Sequence, residues 1–161
     1  FGGIFIIYLF GINFAFNNVG GEEMIGILIL THGELADGYL SALKLISGEE
    51  SQIDSVALYH ESSIEEYKKS VTNKIKELNQ GEGVLIFCDI FGASPYNVTA
   101  QSYKELRDYV NYRSITGVNL AMVIEAVYCR KNMSLDDLSQ HVQKIGKEGI
   151  KELFDITERI D

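Results

Sequence analysis

The chain has 161 residues, 46% of them hydrophobic and 23% charged, which suits one soluble domain with a sizeable core. Fourteen Lys and Arg against 23 Asp and Glu give a formal net charge of −9, which speaks against nucleic acid and anionic membrane as partners and suits a basic protein face. Two cysteines, Cys88 and Cys129, are too few for a disulfide framework and read as reduced thiols of a cytoplasmic protein.

The opening "FGGIFIIYLFGINFAFNNVGG" carries no charge. It lacks the basic start and small-residue cleavage pattern of a secretory signal. Glycines and asparagines interrupt it, and its apolar stretch is short for a membrane span. Residues 1–23 therefore read as a segment apart from the domain. A misassigned or cloning-derived start, a native arm packing on the domain or on a partner chain, and a membrane anchor are its three readings. Met24 stands directly before the first regular run, and the domain is expected over residues 24–161.

"MIGILIL" (24–30) is a continuous apolar run, as expected of a strand covered on both faces in a parallel sheet. A helix is expected over 34–47, with Leu35, Tyr39, Leu43 and Ile46 at helical spacing. "IDSVALY" (53–59) is a second strand. Residues 64–78 carry Ile64, Tyr67, Val71, Ile75 and Leu78 along one helical face, opened by the Ser63/Glu66 capping pattern. "GVLIFC" (83–88) is a third strand of the same buried kind. Residues 95–106 form the next helix, with Ser94 as N-cap and Pro95, the chain's single proline, at the first helical position. "VNYRSITG" (110–117) is more polar and suits a strand nearer an edge. Helices over 119–130 and 135–154 follow, the latter started by Ser134 and Asp137. The tail "FDITERI" could add a strand. The expected fold is α/β: a doubly wound, four-stranded parallel sheet with helices on both faces, plus a C-terminal antiparallel strand.

Ligands of such sheets gather at the carboxyl ends of the strands, where strand order reverses. His32 and Asp89 both fall there, one after each of the two most apolar strands. A carboxylate on one imidazole nitrogen fixes the tautomer and leaves the other nitrogen more basic, and Asp89 could hold His32 in this way. A helix N-terminus offers unpaired N–H groups and a positive dipole end to a phosphoryl group. Ser94, Gly33 and the backbone of Phe91, Gly92 and Ala93 are the candidate cradle. On spacing alone each residue also has a plainer reading: a loop histidine, a turn aspartate, a capping serine. No nucleotide-binding loop is present. His60 reads as a rim residue and His141 as a surface residue, and no His or Cys spacing marks a metal site.

"ILILTHGELADG" (27–38) resembles the active-site segment of mannose-type EIIA domains of the bacterial sugar phosphotransferase system. "DIFGASPYN" (89–97) resembles that family's second motif, and "GVNLAMVIEA" (117–126) its third. The three occur in the family's order, and the resemblance covers Met24 to about Asp161. It implies that His32 is phosphorylated through Nε2, that Asp89 bonds the Nδ1 side, and that Ser94 helps hold the phosphoryl group. It implies the phosphocarrier HPr as donor and an EIIB domain as acceptor, in a cytoplasmic homodimer working indirectly with membrane EIIC and EIID. No cofactor is implied. Ala93 and Ala121 depart from the family's common Gly and Pro, which bears on loop geometry rather than on the three chemical groups. The phosphotransfer subunit of dihydroxyacetone kinase, a regulatory module and a non-enzymatic domain of this fold are the alternatives.

Overall fold

The computed structural model describes residues 23–48 and 50–153. Strand β1 (Gly26–His32) is buried from Gly26 to Thr31 and surfaces at His32. Its apolar run is continuous because side chains alternate between two covered faces. Ile27 and Ile29 join one core cluster, Leu28 and Leu30 the other. Helix α1 (Leu35–Ser47) leads to β2 (Ile53–Leu58), and α2 (Ile64–Leu78) leads to β3 (Val84–Cys88). Helix α3 (Ser94–Leu106) then precedes β4 (Tyr112–Thr116), followed by α4 (Leu120–Cys129) and α5 (Leu135–Glu148).

The strands pair in the order β2-β1-β3-β4, all parallel. Leu43 of α1, Val123 of α4 and Leu138 and Val142 of α5 pack with Ile27, Ile29, Leu85 and Phe87 on one face. Val71 and Ile75 of α2 and Val98 and Leu106 of α3 pack with Leu28, Leu30 and Ile86 on the other. The chain leaves β1 toward β2 along one face and returns past it to β3 along the opposite face. Strand order therefore reverses between β1 and β3, which opens the crevice at their carboxyl ends. The polar strand expected near an edge is β4, and it is an edge of this sheet.

Gly26 sits where α2 ends against the start of β1. A Cβ there would lie 2.5 Å from the Leu78 carbonyl oxygen and 2.9 Å from Leu78 Cβ. Backbone cannot swing aside as a flexible side chain can. Gly26→Ala is therefore expected to cost about 1–3 kcal/mol through overpacking. Chemical denaturation should show a lower midpoint at unchanged slope.

Two of the boundaries that differ from the sequence reading bear on the site and the core. Ala93, not Ser94, is the N-cap of α3; its φ of −80° and ψ of 172° are extended, and no side chain caps the helix. Ser94 is the first helical residue, and Pro95 falls in the same first turn. Gly92, at φ 75°, turns the chain one residue earlier than a serine cap requires. Helix α5 stops at Glu148, short of 154: Gly149 is its C-cap, still bonded to Ile145 O at 2.8 Å, and the Ile150 N–H then tightens to Lys147 O at 3.4 Å. Ile150 and Leu153 beyond it are exposed instead of extending the buried stripe. The expected C-terminal strand and residues 1–22 lie outside the described residues.

Candidate functional site

His32 is the last residue of β1, and Asp89 follows β3 directly. The register pairs Leu30 with Cys88, so adjacent parallel strands deliver the imidazole and the carboxylate side by side. His32 Nδ1 lies 2.8 Å from Asp89 Oδ2, and the His32 backbone N–H donates to the same oxygen at 2.8 Å. The Ile90 N–H donates to Asp89 Oδ1 at 2.8 Å. The Asp89 side chain is 10% exposed, whereas that of His32 is 44% exposed. One ring nitrogen is thus occupied by an enclosed acceptor while the ring itself reaches solvent.

Burial of the Asp89 carboxyl favours its neutral form. The donors from the His32 backbone and ring and from Ile90 outweigh that and hold it below the ordinary carboxylate value. At neutral pH Asp89 is ionised and can only accept. His32 Nδ1 must then carry the proton, and in the neutral ring Nε2 holds the lone pair.

The loop after Asp89 enters α3 through a defined turn. The Asn97 side-chain amide donates to Gly92 O at 2.7 Å, and the Phe91 and Tyr96 rings meet at a centroid distance of 5.2 Å. The first backbone bond of α3 runs from Asn97 N to Ala93 O at 2.9 Å. Pro95 has no N–H, so the N–H groups of Gly92, Ser94 and Tyr96 are left without a partner among the described residues. Ser94 is half-buried, and among the described residues no hydrogen bond joins its hydroxyl to His32 or Asp89. Gly33, at φ 56°, turns the chain away from the ring, but its own N–H is taken by Leu58 O at 2.9 Å. Of the expected cradle, the Gly92 and Ser94 amides stay open, whereas the Gly33 amide and the Ala93 amide, which donates to Ile90 O at 3.4 Å, do not.

The family described as "PTS system fructose IIA component", EIIA-man, matches residues 26–143. This chain belongs to the mannose-type EIIA family. The domain is 28% identical over 130 residues to the mannose-specific EIIAB component of Escherichia coli, covering 80% of this chain and spanning 39% of that longer protein's length. It is 24% identical over 137 residues to the fructose-specific EIIA component of Bacillus subtilis, covering 85% of this chain and 92% of that one. Its fold matches the crystal structure of a phosphotransferase system EIIA component from Streptococcus agalactiae with a TM-score of 0.75 at 28% identity, over 82% of this chain and 99% of that one. As an EIIA component, the protein is part of the sugar phosphotransferase system.

Residues beyond the expected set position the candidate site. The loop after β4 clasps the backbone around Asp89: Gly117 N–H donates to Asp89 O at 3.1 Å and Val118 N–H to Cys88 O at 3.2 Å. Tyr39 of α1 donates its hydroxyl to Val118 O at 3.0 Å and so fixes that loop. Burial first, and then the Asp89 charge, raises the Tyr39 hydroxyl above its usual value, which keeps it a donor. Helical spacing marks Tyr39 as a core residue, and nothing local in the sequence shows its partner 79 residues on. His60 is exposed just past β2, at the same end of the sheet as His32. His141 differs from its surface reading: its ring is half-buried, and Nε2 lies 2.6 Å from Glu125 Oε1.

Two surface hollows of the domain leave out His32 and Asp89. One is lined by Leu40, Lys44 and Ile53, and the other, by Thr116, Gly117, Met122 and Lys147, borders the loop after β4. The ring stands on open surface, beside Ile90 and Phe91, which are 58% and 75% exposed. Among the described residues no helix is long and apolar enough to cross a membrane.

Proposed function

We propose that this EIIA domain carries a phosphoryl group on His32 Nε2, taking it from phospho-HPr and giving it to an EIIB domain. The observation that carries the reading is the 2.8 Å contact between His32 Nδ1 and Asp89 Oδ2, which directs the free lone pair to Nε2 on a half-exposed ring.

In the forward step the Nε2 lone pair attacks phosphorus in line. The bond between phosphorus and the HPr imidazole nitrogen breaks, and its electron pair leaves with that nitrogen. His32 keeps its Nδ1 proton, so the phosphorylated ring becomes cationic, and the Asp89 carboxylate stabilises that charge at hydrogen-bonding distance. The open N–H groups at the α3 entrance and the Ser94 hydroxyl supply preorganised donors for the phosphoryl oxygens. Transfer to EIIB reverses these roles. A group placed on open surface suits a substrate presented by another protein. Ile90 and Phe91 would form the apolar part of that docking face, and the net charge of −9 would favour a basic partner. Work in the cytoplasm, a homodimeric state, and cooperation with membrane EIIC and EIID through EIIB belong to the same proposal.

The test is reconstitution. With phosphoenolpyruvate, enzyme I and HPr, intact-mass measurement at alkaline pH should show one added phosphoryl group, lost again on adding the cognate EIIB. Phosphorylated HPr beside an unmodified EIIA domain would overturn the reading.

A further inference from the structure

Glu125 and Cys129 stand four residues apart on α4, so both project from one face of the helix. That face packs against α5, from which His141 reaches across. Glu125 Oε1, Cys129 Sγ and His141 Nε2 all lie within 4.8 Å of one another. Two contacts converge on a single carboxylate oxygen: His141 Nε2 at 2.6 Å and the Cys129 thiol at 3.4 Å. Cys129 is buried, while the Glu125 and His141 side chains are 18% and 27% exposed. The group thus has an enclosed side and an open one.

We infer that Glu125, Cys129 and His141 form a zinc-binding site that ties α4 to α5. Thiolate, imidazole and carboxylate together suit a borderline-soft cation and disfavour magnesium or calcium, which take oxygen ligands. Zinc bonds of about 2.0–2.3 Å in a tetrahedron set ligand atoms roughly 3.3–3.8 Å apart. The 3.4 Å separation already falls in that range, and the 2.6 Å one opens to it through side-chain rotation. Water from the open side completes four ligands. Binding replaces the Cys129 thiol proton, which passes to solvent, the proton on His141 Nε2 moves through solvent to Nδ1 so that Nε2 offers its lone pair, and zinc changes no oxidation state. Spacing along the chain marks no such site, because its third ligand comes from a separate helix.

The site shares no residue with the phosphoryl-transfer centre. The backbone carbonyl of Arg130, next to Cys129, accepts the Ile25 N–H at 3.5 Å, where the chain enters β1. The cluster therefore borders the end of the sheet opposite His32, and its test is independent of that function.

The test is titration of metal-free, full-length protein with zinc and with cobalt. The expected result is one zinc per chain and a thiolate-to-cobalt charge-transfer band with intense tetrahedral visible bands. Zinc at a hundredfold over its dissociation constant should raise the melting temperature by roughly 5–10 °C. Cys129→Ser should abolish the charge-transfer band, and Glu125→Gln and His141→Gln should each weaken zinc binding at least about tenfold. Cys88→Ser and His32→Ala should bind as the parent does. Circular dichroism separates a lost site from a lost fold, and three single-ligand variants allow one to misfold. Absence of zinc binding in the parent would overturn the inference. So would binding that survives all three ligand variants, or that disappears in His32→Ala.

Discussion

His32→Ala is expected to lower phosphoryl acceptance from phospho-HPr by about 10⁴-fold or more while leaving the fold in place. On the proposed mechanism the loss follows from removing the nucleophile itself. His60, past the end of β2, has no described carboxylate partner, and His141 is engaged with Glu125 across the α4–α5 layer. Survival of the fold follows from the bonding of Asp89. Its carboxylate still receives the backbone N–H groups of residue 32 and Ile90, each at 2.8 Å, so no buried charge is stranded. The stability change should stay near about 1 kcal/mol, the scale of one hydrogen bond at a half-exposed position. Radiolabel transfer from phosphoenolpyruvate and a thermal melt check both halves. Full label uptake by the variant would remove His32 from the mechanism.

Asp89→Asn carries the second large effect. The amide is nearly isosteric, but it can donate to Nδ1 and so stabilise the tautomer whose proton sits on Nε2. It also removes the charge that balances the phosphorylated ring. Rapid-quench measurement should show transfer slowed by about 10²–10⁴-fold, as for other buried carboxylates that orient a catalytic histidine. The same variant tests linkage. The folded-state value of Asp89 is depressed below its unfolded one, so its stabilising contribution is complete above about pH 4 and fades as pH falls through the folded value. An amide at this position does not titrate and has no such dependence. The variant should be less stable than the parent by on the order of 1–3 kcal/mol at neutral pH, and the gap should close in acid. An unchanged transfer rate with an unchanged pH profile would remove Asp89 from both roles.

The parts of this molecule legible in its sequence are those fixed by local pattern. The runs over 24–30 and 83–88 announce strands covered on both sides because the side chains of Ile25, Ile27 to Leu30 and Val84 to Cys88 all enter one of the two core clusters. Polar "YRSIT" announces an edge for the converse reason. Ser63 and Ser134 cap their helices through the Glu66 and Asp137 N–H groups, as residues of their type do. His32 and Asp89 stand out because they end the two most apolar strands. Ser94 falls one position inside the helix it is expected to cap, because the cap rule sees Ser-Pro and not the turn at Gly92, whose φ of 75° sets where α3 begins. The stop of α5 at Gly149 is hidden by apolar Ile150 and Leu153, which continue the helical period without continuing the burial. Tyr39 against Val118 and His141 against Glu125 are pairings across separate elements. Only the packed structure brings them together.

The central claim is that His32 is phosphorylated on Nε2 with Nδ1 still bonded to Asp89. Long-range proton–nitrogen correlation spectra of ¹⁵N-labelled protein, recorded before and after treatment with phosphoenolpyruvate, enzyme I and HPr, test it most directly. The geometry predicts that the Nε2 resonance of His32 alone moves to the phosphorylated position while Nδ1 keeps its proton. Phosphorylation on His32 Nδ1, or on His60 or His141 with His32 unchanged, would contradict it.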